Sequence, residues 1–208
     1  MPDNSAPLNR DFCQEIVGAF AINEAMNQLL LEHLDGRAWR AEIPGHRGRT
    51  IAAIYAHVHN IRRKWLRLSS SHLKLPPELD HRRCTQKQTQ AALAKSGALC
   101  CEMLKDALET QNRVKSFHRD GWARRWHPGA AMFAYMITHD AHHRGQVCML
   151  AHQLGFPLAK PAAYGMWGWE SLARTCGFRI PGPSKTKRPA RGRARQESFN
   201  QRTQREIS

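Results

Sequence analysis

The chain has 208 residues, a formal net charge of +15 and 41% hydrophobic residues, which is enough for the core of one domain. It has no apolar run near the ~18 residues that a membrane span requires, so we expect no membrane insertion. The first residues lack the charged-then-apolar order of a secretion signal, and the six cysteines form no C-x-x-C pair. We therefore expect a cytoplasmic protein with reduced thiols.

Helical periodicity dominates the chain, and no segment shows the strict alternation of a half-buried strand. The pattern predicts four long helices and a shorter helical piece, at residues 9–34, 50–68, 85–109, 130–154 and 161–175. Thr50 is a predicted N-cap, and Thr85 and Gln88 fit a capping box. Gly155 is the predicted stop of the fourth helix.

Each of the four long helices has one apolar face, which must be buried against the others. An all-α four-helix bundle is the simplest arrangement that does so. We expect this bundle to occupy residues 1–180 and to include a short additional C-terminal helix, which Gly165 and Gly168 interrupt.

Residues 181–208 differ in composition from the rest of the chain. Between residues 185 and 208 there are eight basic residues, two acidic residues and two large apolar ones. Such a segment cannot bury enough surface to offset its ordering entropy, so we expect a disordered basic tail. This tail can bind nucleic acid or acidic partners nonspecifically, or it can serve only to keep the protein soluble.

Three histidines lie close together in the fourth helix, and a helical wheel separates them by face. His139 and His143 share a side with Met132 and Met136, whereas His142 lies about 110° from the centre of that apolar stripe. His139 and His143 are one turn apart, so their rings lie one above the other. We expect both of these rings to point into the bundle and His142 to face outward.

The second helix adds a third inward imidazole. His57 borders an apolar face that includes Ile61 and Trp65, whereas His59 faces away from it. Burying three unpaired imidazoles would be costly, and a divalent cation removes most of that cost because neutral imidazole is a favoured metal ligand. The alternative is that the inward histidines are hydrogen-bonded residues of the core.

The sequence of residues 139–146, HDAHHRGQ, resembles the H-x-x-x-H-R-G-Q signature of the DinB-like superfamily. The segment around His57 is similar to the first-ligand segment of that superfamily, and the likeness extends from about residue 9 to residue 176. The resemblance implies a four-helix bundle that forms a homodimer. It also implies a divalent metal site with His57, His139 and His143 as ligands.

The same superfamily includes thiol-dependent transferases and isomerases, beside many members with no assigned activity. The resemblance therefore implies a small-molecule substrate linked to a thiol. Among the divalent ions, we expect zinc or nickel before iron or manganese. The basic tail lies outside the family pattern.

Three neutral histidines leave at least one coordination position open, which is typical of catalytic rather than structural sites. We therefore expect a divalent-metal-dependent transferase or hydrolase in which the ion activates a thiol or a water molecule. The sequence identifies no catalytic residue beyond the metal ligands. The competing hypothesis is a non-enzymatic protein in which the metal ion only stabilises the bundle and the basic tail binds nucleic acid or acidic partners.

Four further polar residues are candidates for contacts near the metal ion or with substrate. Asn23 and Asn27 share the apolar side of the first helix, although such amides also pair with loop backbone. Arg144 could clamp an anionic substrate or a partner's carboxylate, and Gln146 could orient a ligand or its water. Gly145, which lacks a Cβ atom, predicts a close contact between helices.

Overall fold

The computed structural model describes residues 10–45, 48–108 and 113–180, and these residues form helices and no strand. The six helices are α1 (Arg10–His33), α2 (Ile51–Ser69), α3 (Gln86–Leu108), α4 (Ala130–Gln153), α5 (Lys160–Gly165) and α6 (Trp169–Thr175). The all-α four-helix bundle is confirmed, and each long helix begins and ends within one residue of its predicted bounds. The predicted short C-terminal piece consists of two helices, α5 and α6, and the break between them runs from the end of α5 at Gly165 to Gly168.

The predicted signals form the expected helix ends. Thr50 Oγ1 accepts a hydrogen bond from the N–H of Ala53 at 3.2 Å. Thr85 and Gln88 form a capping box, in which each side-chain oxygen accepts from the other's backbone N–H, at 3.2 and 2.9 Å. Gly155 follows α4 with φ at +83°, in the left-handed region that ends many helices.

The interior of the bundle has a polar layer between two apolar clusters. One cluster includes Leu30 and Val147, and the other includes Phe20, Trp65 and Met136. Between them along the helices lie polar or charged side chains, which are Asn23, Glu24, Asn27, His57, Arg62, His139, Asp140 and His143. Six of the eleven buried polar or charged residues in the described part of the chain belong to this layer.

No helix in the described part of the chain is long and apolar enough to cross a membrane. None of the six cysteines, all of which lie in the described ranges, forms a disulfide. The predicted basic tail, residues 181–208, lies outside the described residues.

Two glycines in the long helices have opposite surroundings. A Cβ atom at Gly97 in α3 would lie 2.7 Å from Cγ of Glu24 in α1, whereas a Cβ atom at Gly145 would have no neighbour within 4 Å. Glu24 cannot move aside easily, because it is buried and its Oε2 lies 2.6 Å from Nη1 of Arg62. The prediction of a close helix contact at Gly145 is therefore wrong, and the close approach occurs at Gly97.

Gly97→Ala should lower the free energy of unfolding by about 1–3 kcal/mol, because the added methyl group overpacks the contact between α1 and α3. Gly145→Ala is the matched control, and we expect it to raise stability by up to about 1 kcal/mol, because alanine is the better helix former in open space. Urea denaturation measures both. Equal stabilities of the two variants would contradict the packing at Gly97.

Candidate metal centre

His57 on α2 faces His139 and His143 on α4. The ring centroids are 5.5 Å apart for His57 and His139, 4.8 Å for His57 and His143, and 4.6 Å for His139 and His143. One ligand atom from each residue lies within 4.8 Å of the other two. His143 is buried, and the other two are half-buried. The fold thus brings the three histidines together in a group that could hold a metal ion.

The surroundings keep two of these imidazoles neutral. Burial, reinforced by the nearby His143 and Arg49, lowers the pKa of His57 to about 4. Burial also lowers the pKa of His143, although a hydrogen bond to Gln146 opposes this shift. A neutral imidazole keeps a lone pair that can bind a metal ion. The ring nitrogens of His57 and His143 therefore fit a divalent cation in their protonation state as well as in their position.

Gln146, one of the four polar candidates, holds the ring of His143. Its Oε1 lies 2.7 Å from Nδ1 of His143 and accepts the proton of that ring nitrogen. A proton on Nδ1 leaves Nε2 with the free lone pair. The hydrogen bond therefore fixes both the tautomer and the orientation of this ring.

Asp140 lies beside the ring of His139. Its Oδ1 is 3.6 Å from Nδ1 of His139, too far for a hydrogen bond, and both atoms are buried with no hydrogen-bond partner among the described residues. Its Oδ2 accepts from Nδ2 of Asn23 at 2.8 Å and pairs with Nη2 of Arg62 at 2.5 Å. Burial alone would raise the pKa of Asp140, but Arg62 and His139 bring it down to about 2. An ionised carboxylate thus faces Nδ1 of His139, which leaves Nε2 for a metal ion.

Arg62 connects this carboxylate to all four long helices. The side chain belongs to α2 and is 0% exposed. It contacts Asp140 of α4, Glu24 of α1 at 2.6 Å and the carbonyl oxygen of Leu93 of α3 at 3.3 Å. Neither Arg62 nor Asp140 was predicted from the sequence to be part of this centre. A signal for Asp140 was present, because on a helical wheel it lies only about 20° from the buried Val147.

Arg144 extends toward α1. Its Nη1 donates to Oδ1 of Asn23 at 2.9 Å and to Oδ1 of Asn27 at 3.0 Å, and both asparagines are buried. Asn23 is bonded to both Arg144 and Asp140 and therefore links them. Asn27, within the described residues, is bonded to Arg144. Of the four polar candidates, Gln146 contacts an imidazole directly and Asn23 reaches one only through Asp140.

Two neighbouring histidines lie outside the group. His142 is exposed, with its ring centroid 5.0 Å from that of His143. His59 lies on the other side of α2 from His57 but is fully buried. Its Nδ1 lies 3.1 Å from Oγ of Ser96, and its Nε2 lies 2.9 Å from the carbonyl oxygen of Pro77. His59 is therefore a hydrogen-bonded core residue with both ring nitrogens engaged.

An open cleft of about 540 Å³ lies between the start of α2 and the second half of α4. Arg49, Gln146 and Met149 are among its lining residues. Gln146 connects this cleft to His143, although none of the three histidines is among its lining residues. Arg49 is exposed and forms no ion pair within the described residues.

A family model described as the DinB family matches residues 7–172, a range that includes the four long helices and the three histidines. No curated protein and no solved structure shows significant similarity to the chain.

Asp140→Asn should lower the free energy of unfolding by about 3–5 kcal/mol at neutral pH, because it removes one carboxylate partner from the buried Arg62. The pKa of Asp140 is lowered from 3.8 to about 2. Its contribution is therefore present above the unfolded-state value and is lost as the pH falls toward the folded-state value. Urea denaturation with a chelator present, at neutral and at acidic pH, measures both effects.

Asp120→Asn is the matched control. Oδ1 of Asp120 lies 3.4 Å from Nζ of Lys64, in an ion pair that is partly exposed on both sides. Such a pair contributes less than about 1 kcal/mol, so we expect a correspondingly small loss. A similarly small loss for Asp140→Asn would contradict the structural role of the buried pair.

Proposed function

The chain belongs to the DinB family, and we propose that it is a divalent-metal-dependent enzyme of the transferase or hydrolase type. The observation that supports this proposal is the convergence of His57, His139 and His143 with no fourth histidine, cysteine or carboxylate ligand in the described part of the chain. Structural zinc sites use four protein ligands, whereas catalytic sites use three and keep a position for water or substrate. Three imidazoles without a fourth ligand are typical of the second kind.

The donor atoms indicate which ions the site would hold. Imidazole nitrogens suit zinc and nickel, whereas manganese prefers carboxylate oxygens and many iron sites include a carboxylate ligand. We therefore place zinc or nickel ahead of iron or manganese. When bound, such an ion would supply Lewis-acid chemistry, which lowers the pKa of a coordinated thiol or water molecule.

The protein's own residues orient the ligands and receive the substrate. Gln146 holds His143, and Asp140 faces His139. Arg49 offers a cation to an anionic group that enters the cleft. A free thiol ionises at a pKa of about 8.5, far below that of bulk water, so a bound ion has less to change in a thiol than in water. We therefore favour a thiol over water as the activated group.

Two further expectations from the sequence extend this proposal. The homodimer rests on the family resemblance, and nucleic-acid binding rests on the charge of residues 185–208. Both stay predictions.

Elemental analysis of the purified wild-type protein should find about one divalent ion per chain. His143→Ala should lose it, since it removes one of only three ligands. Gln146→Ala should weaken metal affinity by about 10–100-fold, because His143 loses the partner that orients it. His142→Ala, at the neighbouring exposed histidine, is the control and should bind metal like the wild type.

Thermal denaturation gives a second readout of metal binding. Added zinc or nickel should raise the Tm of the metal-free wild type and of His142→Ala, but not that of His143→Ala, because ligand binding to the folded state stabilises it. A metal-free protein whose Tm does not respond to zinc, nickel, manganese or iron would contradict the proposal.

Cobalt(II) can replace zinc and reports on its ligands through visible and near-ultraviolet absorption. Titration of the cobalt-loaded protein with cysteine should produce a sulfur-to-cobalt charge-transfer band, because the open position accepts a thiolate. His143→Ala, treated in the same way, serves as the blank. If the wild type develops no such band, the thiol form of the proposal is wrong and the hydrolytic form stands.

A further inference from the structure

A second cavity lies on a different side of α4 from the three histidines. Its volume is about 640 Å³, and it is bounded by α1, α4, the loop between α4 and α5, α5, and the chain from the end of α5 to the start of α6. Arg144 and Cys148 line it from α4, and on a helical wheel they lie about 100° and 140° from His143. The cavity therefore lies on another face of α4 from the cleft beside Gln146, and Gly145 is the one lining residue that the two share.

One cation at this cavity has no ionic partner within the described residues. The hydrogen bonds of Arg144 go to the side-chain oxygens of Asn23 and Asn27 and to the carbonyl oxygen of Asn23, all of which are neutral acceptors. All three bonds are made by Nη1, so Nε and Nη2 remain available as donors. No aspartate or glutamate is among the residues that line the cavity. A partly buried guanidinium with unused donors and no carboxylate in direct ion-pairing contact attracts an anion, although Asp140, reached through Asn23, offsets part of its charge.

The rest of the lining is mainly apolar and aromatic. It includes Met26, Leu158, Met166, Trp167 and Trp169. Trp167 is 79% exposed and Trp169 is 38% exposed, which is unusual for such large apolar side chains. Tryptophan rings at the edge of a cavity offer a flat surface on which an apolar or aromatic group can stack. The volume and the lining are those of a site for a small organic molecule.

We propose that this cavity binds a small organic carboxylate, with its charged group on Nε and Nη2 of Arg144 and its apolar body against Trp167 and Trp169. A carboxylate carries one negative charge in a planar fork that matches one guanidinium. A doubly charged phosphate would leave one charge uncompensated among apolar side chains. This site is independent of the metal centre and does not rest on the proposed enzymatic function.

The test uses 4-phenylbutyrate as the probe and its neutral amide, 4-phenylbutanamide, as the matched compound. Isothermal titration calorimetry of the metal-loaded full chain should show binding of the carboxylate. The amide should bind at least about ten-fold more weakly, because it cannot form a charge-assisted pair with Arg144. Equal affinity for the two compounds would overturn the proposal.

Asn27→Asp tests the role of Arg144 without removing it. The new carboxylate would stand where Oδ1 of Asn27 accepts from Nη1 of Arg144 at 3.0 Å, and it would neutralise the arginine from within the protein. We expect the variant to bind phenylbutyrate about ten-fold more weakly. Because aspartate and asparagine have nearly the same shape, this loss would come from the added charge. Trp167→Ala, at an exposed position, should also weaken binding through the lost stacking surface.

Two controls separate this cavity from the metal centre. His143→Ala and Arg49→Met should both bind phenylbutyrate like the wild type, because they alter only the metal centre and its cleft. Loss of binding in either would place the probe at that centre and overturn the proposal, as would unchanged affinity in Asn27→Asp. Sedimentation that shows a dimer dissociated by Trp167→Ala, with no phenylbutyrate binding, would also overturn it, in favour of a contact between two copies of the chain.

Discussion

The buried ion pairs of Arg62 are the constraint on which the rest of the bundle depends. A guanidinium with no access to water is stable only when partners surround it, and here they come from the three other long helices. These partners are Glu24, Asp140 and the carbonyl oxygen of Leu93, and they fix how α1 and α4 are rotated about their axes relative to α2. Since Asp140 is next to His139 in the chain, the rotation that brings the carboxylate to Arg62 also turns the imidazole inward. The candidate metal centre is therefore positioned by a charge pair of the protein itself.

The motif at the middle of α4 serves two sides of that helix. His143 and Gln146 lie next to the cleft beside the three histidines. Arg144, between them in sequence, extends instead toward α1, where two buried amides hold it. Asn23 joins the two sides, because it accepts from Arg144 through its oxygen and donates to Asp140 through its nitrogen. About two helical turns, residues 140–146, thus contribute to the metal centre, to the structural ion pairs and to a second cavity.

The sequence was sufficient for the helices and for the faces of the histidines, because periodicity and capping are local properties. It was not sufficient for Arg62, whose partners lie 38 and 78 residues away along the chain and become neighbours only in the packed bundle. His59 shows the same limit. The helical wheel indicates that its side chain points away from His57, but only the position of α3 shows that the side chain is buried there. Asp140 was not predicted for another reason: among the polar residues of this helix, only the histidines and Gln146 were placed on the wheel, although the position of Asp140 lies close to that of the buried Val147.

The order of the layers along the bundle, apolar then polar then apolar, limits how the helices can move. Sliding a long helix along its axis by one turn, about 5.4 Å, would bring part of the charged layer against apolar groups such as Trp65 or Leu30. The helices α1, α2 and α4, which contribute side chains to this layer, are therefore held in their axial register, and ratcheting of these helices is a costly way to adjust to a bound molecule. The parts that can adjust to a bound molecule lie outside the layered core. They are the flexible thioether of Met149 at the cleft and the short helices α5 and α6 beside the second cavity.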